Sequence, residues 1–129
     1  MRGSRAGRAR RPAAPASQAE FEAALRACSE RKAVDGVVLD LAGISDATDR
    51  FVIVSGTSDT HVRAIAEHVL ETLRQMGARA HHVEGLPAGR WVLLDYVDFV
   101  VHVFHPALRE FYQLERLWGD APQRPLEAS

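Results

Sequence analysis

The sequence predicts an α/β (α+β) fold: a mixed sheet of about five strands with helices packed on it, in the order α-β-β-α-β-β-β-α. Three observations carry this. Between residues 60 and 76, Val62, Ile65, Ala66, Val69, Leu70, Leu73 and Met76 share one helical face, with Arg63, Glu67, Glu71 and Arg74 off it. Trp91 to Asp95 and Phe99 to Phe104 are apolar runs separated only by Tyr96, Val97 and Asp98, the spacing of an antiparallel hairpin. Phe51 to Val54 is a continuous apolar run, as expected for a central strand buried on both faces.

The first helix is expected from Ser17 to Lys32. Ser17 can cap it, Glu20 stands at capping-box spacing, and Phe21, Ala24, Leu25 and Cys28 form one apolar stripe. Asp35-Gly36 is expected to end that segment. Val37, Val38, Leu39 and Leu41 then read as a short strand with Asp40 at its end. Residues 45 to 50 form a polar loop before the Phe51 strand. Gly56 breaks that strand, Ser58 or Asp59 can cap the long helix, and Gly77 can terminate it. Residues 80 to 84 allow a short strand, and Gly85, Pro87 and Gly89 a loop. Pro106 stops the last strand and can open a final helix over 107 to 118.

The 129 residues are enough for one domain with a single modest core. Residues 1 to 17 carry Arg2, Arg5, Arg8, Arg10 and Arg11, no acid and no large apolar side chain. They read as a disordered basic tail; their acid-poor, Arg-rich make-up also resembles an organellar transit peptide, though Ser is sparse and two prolines interrupt any helix. The domain is expected over 18 to 118, with 119 to 129 a flexible C-terminal tail. No apolar run is long enough for a membrane span and no apolar stretch follows the N-terminal arginines, so no membrane or export signal is expected. Cys28 is the only cysteine, which suits a reducing cytoplasm, and it reads as a small buried group rather than a nucleophile.

Overall charge is −1, but beyond residue 17 eleven basic side chains face seventeen acidic ones, a net of −6. Such a domain is a poor binder of phosphate backbones, so if it works on a nucleoprotein particle its folded part is expected to dock on protein rather than on bare RNA; the arginine tail can add weak, salt-sensitive attraction to RNA.

Catalytic constellations fail on spacing. His81 and His82 are adjacent in a strand and point to opposite faces. His102 and His105 also fall on opposite faces, and His61 and His68 lie two helical turns apart, about 10 Å along the axis. No metal site is therefore expected. Ser55-Gly56-Thr57-Ser58 joins a strand to a helix, where free N–H groups attract anions, but it lacks the further glycines and the lysine of a phosphate loop. It reads first as a turn with a helix cap. The same strand, turn and helix loosely resemble nucleotidyltransferases, yet no strand has two acids at alternate positions to hold magnesium; Asp95 and Asp98 straddle a turn. No serine sits in a Gly-x-Ser-x-Gly elbow. Neither a catalytic residue nor a cofactor is assigned.

The C-terminal third is distinctive. Trp91, Tyr96, Phe99, Phe104, Phe111, Tyr112 and Trp118 are seven of the nine aromatics and fall within 28 residues. The final helix is apolar at Leu108, Phe111, Tyr112, Leu114, Leu117 and Trp118, more than one face. Trp and Tyr beside Arg are residue types that dominate protein interfaces. Core packing is the plainer explanation for such a cluster, and His102 in its apolar strand reads first as a hydrogen-bonded core histidine.

GTSDTHVRAIAEHV (56 to 69), WVLLDYVDFVVHVFHP (91 to 106) and REFYQLERLW (109 to 118), together with the segment from Ala33, resemble the ribosomal silencing factor, or Iojap-like, family. The resemblance covers some two thirds of the chain, from about Ala33 to Trp118. It implies a nucleotidyltransferase-like fold without the catalytic carboxylates. It implies binding to the large ribosomal subunit through ribosomal protein number fourteen, on the face that meets the small subunit. The effect is to block subunit joining and repress translation under nutrient limitation. It also implies a homodimer. Carried over by motif, the partner surface comprises Trp91, Leu93, Asp95, Tyr96, Asp98, His102, Phe104, Arg109, Tyr112 and Trp118, with Trp91 and Tyr112 as aromatic anchors and Asp95 and Asp98 facing basic groups. Family members commonly carry Gly where this chain has Val97. A β-branched residue resists positive φ, so the turn beside Asp98 is expected to differ. The alternatives are a nucleotidyltransferase-like enzyme and a direct RNA-binding protein led by the tail.

Overall fold

The computed structural model describes residues 15–112 and 121–126. Residues 1 to 14 of the basic tail, and the final helix beyond residue 112, lie outside the described residues. In chain order the elements are α1 (Pro15–Glu30), β1 (Val34–Asp40), β2 (Arg50–Ser55), α2 (Asp59–Gln75), β3 (His82–Glu84), β4 (Trp91–Asp95), β5 (Phe99–Phe104), α3 (Pro106–Tyr112) and β6 (Gln123–Pro125).

The strands form one six-stranded sheet in the order β3-β4-β5-β2-β1-β6. β2 and β5 run parallel, in register from Arg50 opposite Phe99 to Ser55 opposite Phe104, and every other pairing is antiparallel. The mixed α+β architecture is therefore as the sequence predicts, with one strand more. Gln123–Pro125 pairs with β1, placing Val38 opposite Arg124, where a loose tail was expected. Short and poor in apolar residues, β6 carries no periodic signal; its backbone groups are satisfied by an edge that only the folded sheet supplies.

Helix boundaries differ in an instructive way. α1 begins at Pro15 rather than at Ser17, since Pro is tolerated in a first turn. It ends at Glu30, before Asp35-Gly36. Its stop is made by Lys32, at φ 61°, with Ala33 N–H bonded to the Cys28 carbonyl at 3.0 Å and Lys32 N–H to Ser29 at 2.9 Å. That is a Schellman closure with lysine in the left-handed position. α2 closes the same way with the expected Gly77, at φ 86°. Asp35, at φ 53°, and Gly36 instead sit in an irregularity of β1, where register slips between Val34 and Val37.

Both long helices cover one face of the sheet. Phe21, Ala24 and Cys28 from α1 and Val62, Ile65, Ala66, Val69 and Leu73 from α2 pack on Val52, Val54, Val92, Leu94, Phe99, Val101 and Val103. Each fully buried large aliphatic or aromatic side chain here contributes roughly 1.5–3 kcal/mol. Met76, assigned to the same stripe, is exposed. The Ser55–Ser58 turn serves this packing. Ser58 caps α2 by accepting the His61 N–H at 3.1 Å. His61 then accepts the Thr57 N–H at Nδ1 (2.8 Å) and donates from Nε2 to the Arg31 carbonyl (2.7 Å), tying the start of α2 to the end of α1.

Candidate functional site

Alternation along β4 and β5 sends successive side chains to opposite faces of the sheet. Val92 and Leu94 enter the helix-covered core, so Trp91, Leu93 and Asp95 lie on the other face, as do Val100, His102 and Phe104 of β5. This second face has its own cluster of Leu39, Leu41, Ile53, Phe104 and Ala121, with Val37, Phe51, Trp91 and Leu108 packed against it. Trp91, Leu93 and Asp95 are half-buried, while Phe104 and His102 are buried beneath them.

The geometry is specific at one end. Trp91 stands opposite Phe104 in the register and stacks on it, ring centres 4.9 Å apart and planes at 24°. Its Nε1–H donates to His102 Nδ1 at 3.1 Å. Phe51 of β2 meets the His102 ring edge to face at 4.6 Å. Accepting from Trp91 makes the neutral imidazole the Nε2–H form, and burial pushes its pKa down to about 4. His102 Nε2 has no hydrogen-bond partner. The core-histidine reading is thus half satisfied: one ring nitrogen is engaged, the other is not.

Gly85 makes room for this end of β4. It lies at φ 79°, and a Cβ there would stand 2.1 Å from the Trp91 carbonyl oxygen. Arg109 reaches across from α3 to Ser55 Oγ at 3.0 Å, at the finishing end of β2.

The opposite end of the hairpin is acidic. Asp95 Oδ1 accepts the Val97 N–H at 2.8 Å, and Asp98 N–H donates to the Tyr96 carbonyl at 2.9 Å around Val97 at φ 75°. These contacts describe a γ-turn of positive φ, closed by valine where glycine is easiest. Five residues of β4 separate the two ends, Trp91 to Asp95, about 13 Å.

The structure thus brings Trp91, Leu93, Asp95, His102 and Phe104 onto one face, with Arg109 near the Trp91 end and Asp98 near the Asp95 end. Tyr96 stands apart. Its ring stacks on Phe99 at 5.2 Å and joins the helix-side core, its hydroxyl has no partner, and burial pushes its pKa up to about 12, with Glu20 adding to the rise. Tyr112 ends α3, and Trp118 lies outside the described residues. Phe51 and Ser55 read from the sequence as strand and turn residues, not as members of the site. The uniform apolar run of β2 hid which of its residues share the face of His102.

Among the described residues no three His, Cys, Asp or Glu side chains are grouped to hold a metal ion, and no helix is long and apolar enough to cross a membrane. A cavity of about 410 Å³ lies elsewhere, where Asp40, Asp49, Arg50 and Arg124 line the β1–β6 edge with charges of both signs.

Comparison with known proteins gives a consistent result. Residues 14–129 match the family model described as ribosomal silencing factor during starvation. The chain is 44% identical over 104 residues to a Bacillus subtilis protein named ribosomal silencing factor RsfS, covering 81% of this chain and 88% of that one. A crystal structure from Bacillus halodurans superposes with a TM-score of 0.75 at 38% identity, covering 84% of this chain and 99% of that one. One from Chromobacterium violaceum gives 0.77 at 35%, covering 87% and 92%.

Proposed function

The chain belongs to the ribosomal silencing factor family, and from that premise we propose that it is a non-catalytic, cytoplasmic repressor of translation. It binds the large ribosomal subunit through ribosomal protein number fourteen and keeps the small subunit from joining when nutrients run short. The observation that carries the reading is the Trp91–Phe104 stack on the sheet face opposite α1 and α2. Trp91 is held by a ring beneath it and a hydrogen bond beside it, yet is only half-buried. A rigid, partly exposed aromatic has little rotamer freedom left to lose on docking, which is the character of an interface anchor. Leu93 extends the apolar row and Asp95 ends it with negative charge, suited to a partner with an apolar patch and a basic rim.

The net negative charge beyond residue 17 supports a protein rather than an RNA partner for the folded part. The arginines of the N-terminal tail add weak attraction to ribosomal RNA in this reading; deleting residues 1 to 14, which hold all five of them and precede α1, should reduce salt dependence and leave most affinity. A homodimer is part of this proposal, and sedimentation velocity of the free protein tests it.

The deciding experiment is co-sedimentation with purified large and small subunits. The protein should pellet with free large subunits, and Trp91→Ala should lose that binding while keeping its far-UV circular dichroism. A folded Trp91→Ala protein that binds like the wild type would exclude this surface, and a wild type indifferent to large subunits at any salt concentration would end the reading.

A further inference from the structure

His102 is the polar exception in β5, whose other residues are Phe99, Val100, Val101, Val103 and Phe104. It is 4% exposed, so it offers little surface to a partner. Burying an imidazole is unfavourable unless its nitrogens are used, and an apolar side chain would fill the same space. The hydrogen bond from Trp91 is what distinguishes histidine here.

Stacking on Phe104 sets the plane of the Trp91 indole but not which edge of the ring points where, because a ring turned over in its own plane stacks about as well. A directional bond at Nε1 separates the two orientations. Trp has one donor, and only an acceptor can hold it. His102 is itself fixed, edge to face with Phe51 at 4.6 Å and near-parallel to Phe104 at 6.2 Å and 14°. The cross-strand register places it one diagonal step from Trp91, since Leu93 stands opposite His102 and Trp91 opposite Phe104.

We infer that His102 is the positioning residue for Trp91: its Nδ1 accepts the indole Nε1–H and selects the one ring orientation that the docking face presents. The inference deepens the proposed function and, for its effect on binding, rests on it. His102 acts through Trp91 without contacting the partner. Burial keeps the imidazole neutral at ordinary pH, so the acceptor is always available.

The test uses the full chain, ¹⁵N-labelled, with two readouts: the Trp91 indole N–H resonance, assigned by its absence from Trp91→Phe, and co-sedimentation with purified large subunits. His102→Leu fills the space without an acceptor, and His102→Gln offers an amide oxygen. The Trp91 resonance should move upfield in His102→Leu, and affinity should fall about five- to tenfold, the size of one neutral hydrogen bond. His102→Gln should recover part of both. In a Trp91→Phe background, where no indole N–H exists, His102→Leu should change affinity no further.

An unmoved indole resonance in His102→Leu overturns the inference whatever happens to binding. So does an unchanged affinity in a folded His102→Leu protein whose Trp91→Ala counterpart has lost binding. If the wild type itself fails to bind, the proposed function falls, while the resonance still decides whether His102 holds the indole. Should His102→Leu not fold, the resonance and affinity of His102→Gln decide: a shifted indole signal with unchanged binding overturns the inference, and retention of both supports it.

Discussion

Val97 closes the β4–β5 turn at φ 75°, and its N–H donates to Asp95 Oδ1 at 2.8 Å. A β-branched residue is held in the left-handed region by the carboxylate two residues before it and by the pairing on both sides. Positive φ in such a residue costs on the order of 1–2 kcal/mol, of which glycine would return part to the greater entropy of its unfolded chain. Val97→Gly should therefore raise stability by about 0.5–1 kcal/mol, against the usual direction of a Val to Gly change. Urea unfolding measures it, and a loss of stability would show that the half-buried valine side chain matters more than its backbone.

Lys32 and Gly77 occupy equivalent positions after α1 and α2, at φ 61° and 86°. An added Cβ at Gly77 meets nothing within 4 Å, so Gly77→Ala pays only the conformational penalty. Gly77→Ala should lower stability by about 1 kcal/mol and Lys32→Gly should raise it by a comparable amount. Thermal melts of the two variants should shift in opposite directions; equal shifts of the same sign would contradict the shared geometry.

His102 makes stability depend on pH. Its ordinary pKa is 6.5 and burial lowers it to about 4 in the native state. Between these values the unfolded chain binds more protons than the folded one, so stability falls as the solution is acidified. The contribution is complete above pH 6.5 and is lost as pH drops to about 4, a difference of about 3 kcal/mol. Urea midpoints of wild type and His102→Leu, measured from pH 7.5 to 4.5, should diverge, with the wild type falling more steeply. Parallel profiles would mean that the imidazole accepts a proton in the native state as readily as in water.

Cys28 lies wholly within the helix-side core, and burial pushes its thiol pKa up to about 12. The thiol should be inert to disulfide reagents at neutral pH until the domain opens, so its labelling rate should track unfolding across a denaturant series. Fast labelling of the native protein would place it in a mobile region. Cys28→Ser should cost about 1–3 kcal/mol through an unpartnered buried hydroxyl.

Much of the architecture was legible. The stripe from Val62 to Leu73 identified α2, and the pair Ser58 or Asp59 and Gly77 marked its ends, because helix period and cap chemistry are local; the structure chose Ser58. The hairpin was legible from Trp91 to Phe104, since a three-residue link leaves two apolar runs few other ways to pair. The candidate face was legible in residue type but not in membership. Tyr96 sits in the same motif as Trp91 and Asp95, yet the turn carries it to the helix side. β5 is buried on both faces, so its composition did not say which of its residues lie with Trp91.

By itself the sequence determined the presence of the two long helices, the hairpin, the family and the residue types of the candidate face, all of which depend on neighbours a few positions apart or on motif order. Only the tertiary structure decided that β6 joins the edge of β1, that Lys32 takes the glycine position, and that His102, met edge to face by Phe51, accepts the Trp91 indole N–H. The reason is physical. An edge pairing or a ring contact between residues far apart in the chain has no period of its own, and an apolar strand covered on both sides satisfies burial equally well in either facing until its neighbours choose one.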